Sequence, residues 1–317
     1  MKFSKIILIL LLLPFITNAG EKIDKTLDFL DDGYVDIANV NGQVKIVPWD
    51  SKSVKVVGEL GNNTKSFTFD RSGNRIRIKV EVKNEFHMFG GGDSNDGDNL
   101  VINLPKSSKV SYDSVNSNMN TSGITGGLSA NSVNGNLNIE NSQGRLKITT
   151  VNGKISGNQL NGGLDLETVN GEINIKNSGG NQNSVSTVNG TLNFNSSTED
   201  LKINTVSGNV LAEVGNIKNL EFSGVSGNAT IRLNMKKGGN VNATTVSGNV
   251  TLNFLEDPSA HFNIDSPTGG SIINRLSNDK IVEEHYGPGK HLQFSTMGGD
   301  GKVNVTTISG AITLEKK

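Results

Sequence analysis

Between Leu128 and Leu252 apolar and polar residues follow one recurring phrase, apolar-x-apolar-x-Thr-Val-(Asn/Ser)-Gly-x-apolar-x-apolar. Its valines are Val133, Val151, Val169, Val188, Val206, Val225 and Val246, in steps of 18 to 21 residues. Five residues before each valine stand Leu128, Leu146, Leu164, Asn183, Leu201, Leu220 and Val241. Three before stand Ala130, Ile148, Leu166, Val185, Ile203, Phe222 and Ala243, and four after stand Leu137, Ile155, Ile173, Leu192, Val210, Ala229 and Val250. Asn183 is the one polar residue in these columns. A period of two predicts strand, so each repeat carries two short strands hinged at Asn-Gly or Ser-Gly.

Two arrangements compete. Asn-Gly between alternating runs is a hairpin signal and would give an antiparallel meander. The columns, however, match every 18 residues and not every 9, which fits one turn of a β-solenoid with residues 18 apart stacked about 4.8 Å apart. In that arrangement Lys154 with Glu172 and Lys147 with Asp165 become stacked opposite charges. The hinge Asn or Ser would tolerate positive φ, Gly would permit the tight corner, and stacked Asn amides would bond along the axis. The expected fold is all-β, a solenoid of about 18–21 residues per coil with two short strands per coil.

The flanks differ. Lys2 and Lys5, the apolar run Ile6 to Phe15 and Thr17-Asn18-Ala19 read as a signal peptide cut before Gly20, its apolar run too short to span a bilayer. Residues 20–110 alternate with charged residues outward, as expected of a small antiparallel β domain that caps the first coil. Leu100 to Lys106 leads into a degenerate first repeat at Val115-Asn116-Ser117, and the solenoid is expected over 111–270. Over 271–317 an irregular insertion precedes a closing coil, in which Gly298-Gly299-Asp300-Gly301 is expected to turn a hairpin because Met297 and Ile308 are too close for a full coil.

Composition narrows the function. With 30 Lys+Arg against 31 Asp+Glu there is no concentrated basic surface for nucleic acid. The absence of cysteine removes disulfides, thiol chemistry and lipoprotein anchoring. Without a second apolar run, no membrane span is expected after signal cleavage. The expected location is extracytoplasmic: the periplasm foremost, with secretion or the cell surface as the other possibilities.

Candidate chemistry is sparse. The histidines His87, His261, His285 and His291 lie outside the regular ladder, and Glu283-Glu284-His285 with His291 is the best metal-like cluster, in a stretch whose charges ordinarily face water. The acidic loop Asp93 to Asp98 invites calcium, but an EF-hand loop starting at Asp93 needs Gly and Glu where Asp98 and Leu104 stand. The corners lack the Gly-Gly-x-Gly-x-Asp of calcium β-rolls. A polysaccharide lyase or hydrolase would need acids clustered on neighbouring coils. Asp165, Glu167 and Glu172 come nearest, but one coil away stand Lys147, Thr149 and Lys154. No nucleophile elbow, phosphate loop or His-Glu-x-x-His motif occurs. No catalytic, cofactor-binding or metal-ligating residue is therefore assigned, and no cofactor is expected.

The secretory signal, the strand Val40 to Trp49, the entry Val101-Ile102-Asn103-Leu104-Pro105-Lys106, the Thr-Val-(Asn/Ser)-Gly ladder and the ending Gly301 to Leu314 together resemble the bacterial putative-adhesin β-strand-repeat family, a domain of unknown function. The resemblance covers most of the mature chain. It implies a non-catalytic extracytoplasmic solenoid and carries over no functional residue. The expected function is an adhesin-like or scaffold binding module using solenoid faces, with envelope glycan or envelope proteins as partners. A polysaccharide-acting β-helix enzyme is the alternative.

Overall fold

A computed structural model describes residues 20–83 and 97–316 of the chain. The signal segment 1–19, His87 and the loop residues from Asp93 to Asp96 lie outside these. All regular structure among the described residues is β, joined in one continuous sheet.

The ladder is a solenoid. Leu146–Thr150 pairs parallel with Leu164–Thr168, Leu146 opposite Leu164 and Thr150 opposite Thr168. Ile155–Asn158 pairs parallel with Ile173–Ser178 in the same register. Each residue therefore lies over its counterpart one repeat away, and both strands of a coil send alternate side chains into one apolar interior. Asn183 sits fully buried in its apolar column because its polar atoms are used: Oδ1 accepts from the Leu164 N–H, and Nδ2 donates to the Ser196 hydroxyl.

The corner explains the Thr-Val-Asn-Gly phrase. The buried Thr hydroxyl accepts the N–H of the Gly three residues on: Gly153 from Thr150, Gly190 from Thr187, Gly208 from Thr205, Gly248 from Thr245 and Gly310 from Thr307. Such a bond satisfies a donor that the turn would otherwise bury unpaired. The corner Gly is required by close approach. A Cβ on Gly153 would stand 1.9 Å from the Gly135 carbonyl oxygen. The Asn residues form the expected axial ladder, with Asn116 donating to Asn41, Asn134 to Asn116, Asn152 to Asn134, Asn170 to Asn152 and Asn189 to Asn170.

One expectation needs correction. No hinge Asn or Ser has positive φ; that conformation falls on Asn141, Gln159 and Asn177, at the opposite corner of the coil. The hinge Asn is there for its amide ladder, which a residue with ordinary backbone angles can form. Lys154 and Glu172 do form an ion pair, at 3.0 Å, and Lys147 lies beside Asp165 in register.

At each end the order in space differs from the order in sequence. Tyr34–Trp49 is already a solenoid coil, paired parallel with Lys109–Ser122 on one side and with Arg75–Val82 and Asp98–Pro105 on the other. Antiparallel strands finish that end: Thr64–Ser72 on Arg75–Val82, Ser53–Glu59 on Asp98–Pro105, and Lys22–Asp28 on Ser53–Glu59. At the other end Gly301–Thr307 lies between Asn228–Thr245 and Ala260–Ser266, parallel to both. Likewise Ala311–Lys316 lies between Asn249–Phe254 and Ser271–Asn274.

The last coil written is thus not the last in space. The expected hairpin at Gly298–Gly301 is also different: the chain reverses there, but Lys290–Thr296 pairs antiparallel with Ala260–Ser266, which separates it from Gly301–Thr307. The Phe262 ring stacks on Phe294 at 4.4 Å and meets Phe254 edge-on, closing the interior under this strand, beyond which the short strand Val282–Glu283 pairs.

Candidate functional site

The alternation that sends Thr inward at each corner sends the following Val outward. Val115, Val133, Val188, Val206, Val225, Val246 and Ile308 are 37–45% exposed, and Val40, Val151 and Val169 fill the same column half-buried. The backbone holds them in line: the Val151 N–H donates to the Ser132 carbonyl, Val188 to Thr168, Val206 to Thr187 and Val225 to Thr205. Stacking covers about half of each side chain and leaves an apolar ridge along the solenoid. Its exposed area is on the order of 500 Å², comparable with the largest apolar patches of monomeric proteins.

A shallow groove of about 270 Å³ runs beside the ridge, lined by Glu167, Ser186, Val188, Asn204, Val206 and Val225. The Asn and Ser ladder borders the other side of the ridge. A second open groove, of about 540 Å³, follows the opposite corner and is polar, with Gln143, Gln159, Asn161 and Asn177 among its walls. Neither groove has an aromatic side chain in its lining.

The residues singled out for chemistry do not assemble. Glu283 pairs with Lys290 at 3.3 Å, and His285 sets its ring edge-on against exposed Tyr286. His291 lies opposite Asp265 across the terminal antiparallel pair, and His261 shares a hydrogen bond with Ser295 at 2.6 Å. Among the described residues no group of three or more His, Asp or Glu side chains is placed to hold a metal ion. Glu172 is engaged by Lys154, which leaves Asp165 and Glu167 without it as a third acid.

Of the acidic loop, Asp98 is described, and it is buried in the end cap. Its Oδ1 accepts from the Gly61 N–H at 2.9 Å and the Thr64 hydroxyl at 2.8 Å. Burial pushes its carboxyl above the ordinary carboxylate range, against these hydrogen bonds, which pull it down. It holds the cap strands together. Sequence reasoning missed the ridge, although the same count of two that puts Thr inside puts Val outside.

A family model described as Toastrack DUF4097 matches residues 34–315. No curated protein matches the chain. Among solved structures, a putative adhesin from Parabacteroides merdae is 14% identical, with 94% of this chain and 97% of that one covered and a TM-score of 0.48. A putative adhesin from Parabacteroides distasonis is also 14% identical, covering 94% and 98%, with a TM-score of 0.46. A putative lipid binding protein from Parabacteroides distasonis is 11% identical, covering 94% and 97%, with a TM-score of 0.43. With the family model running from the first coil to the last, the chain belongs to the Toastrack DUF4097 family.

Proposed function

We propose that this protein is a non-catalytic extracytoplasmic scaffold that holds an envelope protein along its valine ridge. The observation that carries the reading is the ridge itself: a straight, uninterrupted column of aliphatic side chains on the outer surface, repeated coil after coil. Exposed apolar surface of this size costs solubility and marks a contact surface. A partner lying along it would cover apolar area while its rim bonded to the Asn and Ser ladder, the arrangement of ordinary protein interfaces. The groove beside the ridge has no aromatic lining, which favours a protein over a glycan there, since sugar faces are commonly held against aromatic rings. The apolar segment Ile6 to Phe15 with its preceding lysines supports export.

The test places a photo-crosslinking residue at Val206, in the ridge, and at Thr251, in the strand Asn249–Phe254 outside the ridge, in the full chain expressed in cells. Cross-links to one envelope protein from position 206, absent from 251 and lost in the Val188→Ser, Val225→Ser double variant, are expected. Cross-linking that is equal at both positions, or cleavage of envelope polysaccharide by the purified protein, would overturn the reading. Antibody probing of intact and permeabilised cells separates periplasm from cell surface.

A further inference from the structure

At the N-terminal end of the solenoid, three cations surround a notch made by a missing side chain. In the column that precedes the inward apolar positions, successive coils present Arg75, Tyr34, Lys109, Gly127 and Arg145. The Val110 N–H donates to the Gly127 carbonyl, and the Leu128 N–H to the Arg145 carbonyl, so Lys109 and Arg145 flank Gly127 two coils apart. Two coils correspond to roughly 9.6 Å between backbones, within reach of both side chains. Gly127 has φ +99°, where a side chain would be strained, so the gap is a property of the backbone.

The neighbouring outward column supplies Ser111, Ser129 and Lys147. Lys109, Gly127, Ser129, Arg145 and Lys147, with Tyr34 and Asp36 at one end, line an open groove of about 440 Å³. On later coils Lys154 is neutralised along the axis by Glu172 and Lys202 by Glu221. Here the cations are not: among the described residues no carboxylate lies within ion-pair distance of Lys109, Arg145 or Lys147. Asp165 is beside Lys147 in register without pairing to it, and Asp36 pairs with Arg75. The Tyr34 ring lies 5.0 Å from both the Lys109 ammonium and the Arg75 guanidinium, and its hydroxyl is 3.4 Å from Lys109 Nζ, which sets that ammonium at the Tyr34 side of the groove.

We propose that this notch binds a phosphate ester, with Lys109 and Arg145 gripping its oxygens from opposite walls. Lys147 adds a third charge, and the Ser129 hydroxyl donates from the floor, while the Ser111 hydroxyl, which donates to Asp113 at 3.5 Å, must turn to join it. A phosphate fits better than a carboxylate because its terminal oxygens point in three directions and can accept from both walls and the floor at once, whereas a carboxylate offers one plane and one charge. Arg brings a planar fork and Lys a mobile point charge, the pair of donors that phosphate recognition uses. The site lies on a different column from the valine ridge and does not depend on it.

The experiment is titration calorimetry of the full chain with inorganic phosphate and with glucose 6-phosphate, and co-sedimentation with phosphatidylcholine vesicles containing phosphatidylglycerol. The proteins compared are wild type, Lys109→Gln with Arg145→Gln, and Lys202→Gln as a control that removes a cation outside the notch. Saturable binding of a soluble phosphate that weakens at least tenfold in the double variant, weakens with added salt and is unchanged in Lys202→Gln is the expected result. Binding confined to the vesicles, with the same dependence on Lys109 and Arg145, identifies a lipid headgroup as the carrier of the phosphate and upholds the site. No binding to any of the three probes, or binding equal in the double variant and wild type, overturns the proposal. All the substituted residues are exposed, so unfolding midpoints of the three proteins should agree.

Discussion

Replacing Thr187 by Val tests whether the corner hydroxyl, and not the corner's shape, makes the repeat fold as it does. Thr187 is buried, and its Oγ1 accepts the Gly190 N–H at 3.0 Å. Valine has nearly the same shape and is more apolar, so burial alone predicts a neutral or stabilising change. The hydrogen bond predicts the reverse: the Gly190 N–H, buried against the next coil, loses its acceptor and cannot reach water. Leaving such a donor unmade costs about 1–3 kcal/mol. Thr187→Ser keeps the bond and removes one methyl group, a loss of about 1 kcal/mol.

Valine should therefore be at least as damaging as serine, although it is the more hydrophobic residue. Urea unfolding followed by far-ultraviolet circular dichroism reads the total effect through the midpoint at unchanged slope. Because solenoid stability is a sum of coil and neighbour contributions, amide exchange gives the local reading. Exchange at Gly190 should quicken about tenfold for each 1.4 kcal/mol lost. A Thr187→Val protein with a midpoint at or above wild type and undisturbed exchange at Gly190 would refute the reasoning.

Gly153→Ala places a Cβ 1.9 Å from the Gly135 carbonyl oxygen, and the coils must part to admit it. A loss of more than about 3 kcal/mol is expected in the same urea assay, and a loss below 1 would show that the corner yields. Asn152→Ala removes exposed bonds at both ends of one ladder step, to Asn134 at 2.8 Å and from Asn170 at 3.0 Å, where water competes. Its cost should stay near about 0.5–1 kcal/mol, below that of Thr187→Val, and an equal cost would assign the ladder a structural weight that exposure argues against.

Asp98 provides a pH test. Its folded carboxyl is raised above the ordinary 3.8, so between that value and the raised one the folded state holds more proton than the unfolded, and stability falls as pH rises through the window. Asp98→Asn removes this dependence while keeping an acceptor for Gly61 and Thr64. Unfolding midpoints measured from pH 3.5 to 7 should show wild type losing ground to the variant as pH rises, and parallel curves would count against the burial argument.

The solenoid was legible from the sequence because its interactions are local in register. Every column of Leu, Ile and Val repeats at the coil length, and an 18-residue step with two alternating runs leaves few ways to bury both at once. The amide ladder and the Lys154–Glu172 pair follow from the same arithmetic. Other features depended on contacts that no local pattern encodes. Asn183 looks like a flaw in its column until Leu164 and Ser196 are placed around it. The coil Gly301–Lys316 reads as a cap, yet it lies between two coils written earlier, because a strand with parallel partners on both sides leaves no open edge. Lys109, Gly127 and Arg145 follow the 18-residue step, but Tyr34 and Arg75 join their column only through the pairing of Tyr34–Trp49 with Lys109–Ser122 and Arg75–Val82. The repeat by itself determined the coil, its corner chemistry and its apolar interior, since these are properties of one period. Tertiary structure decided how the ends close and which outward residues meet, since those depend on which coil lies against which.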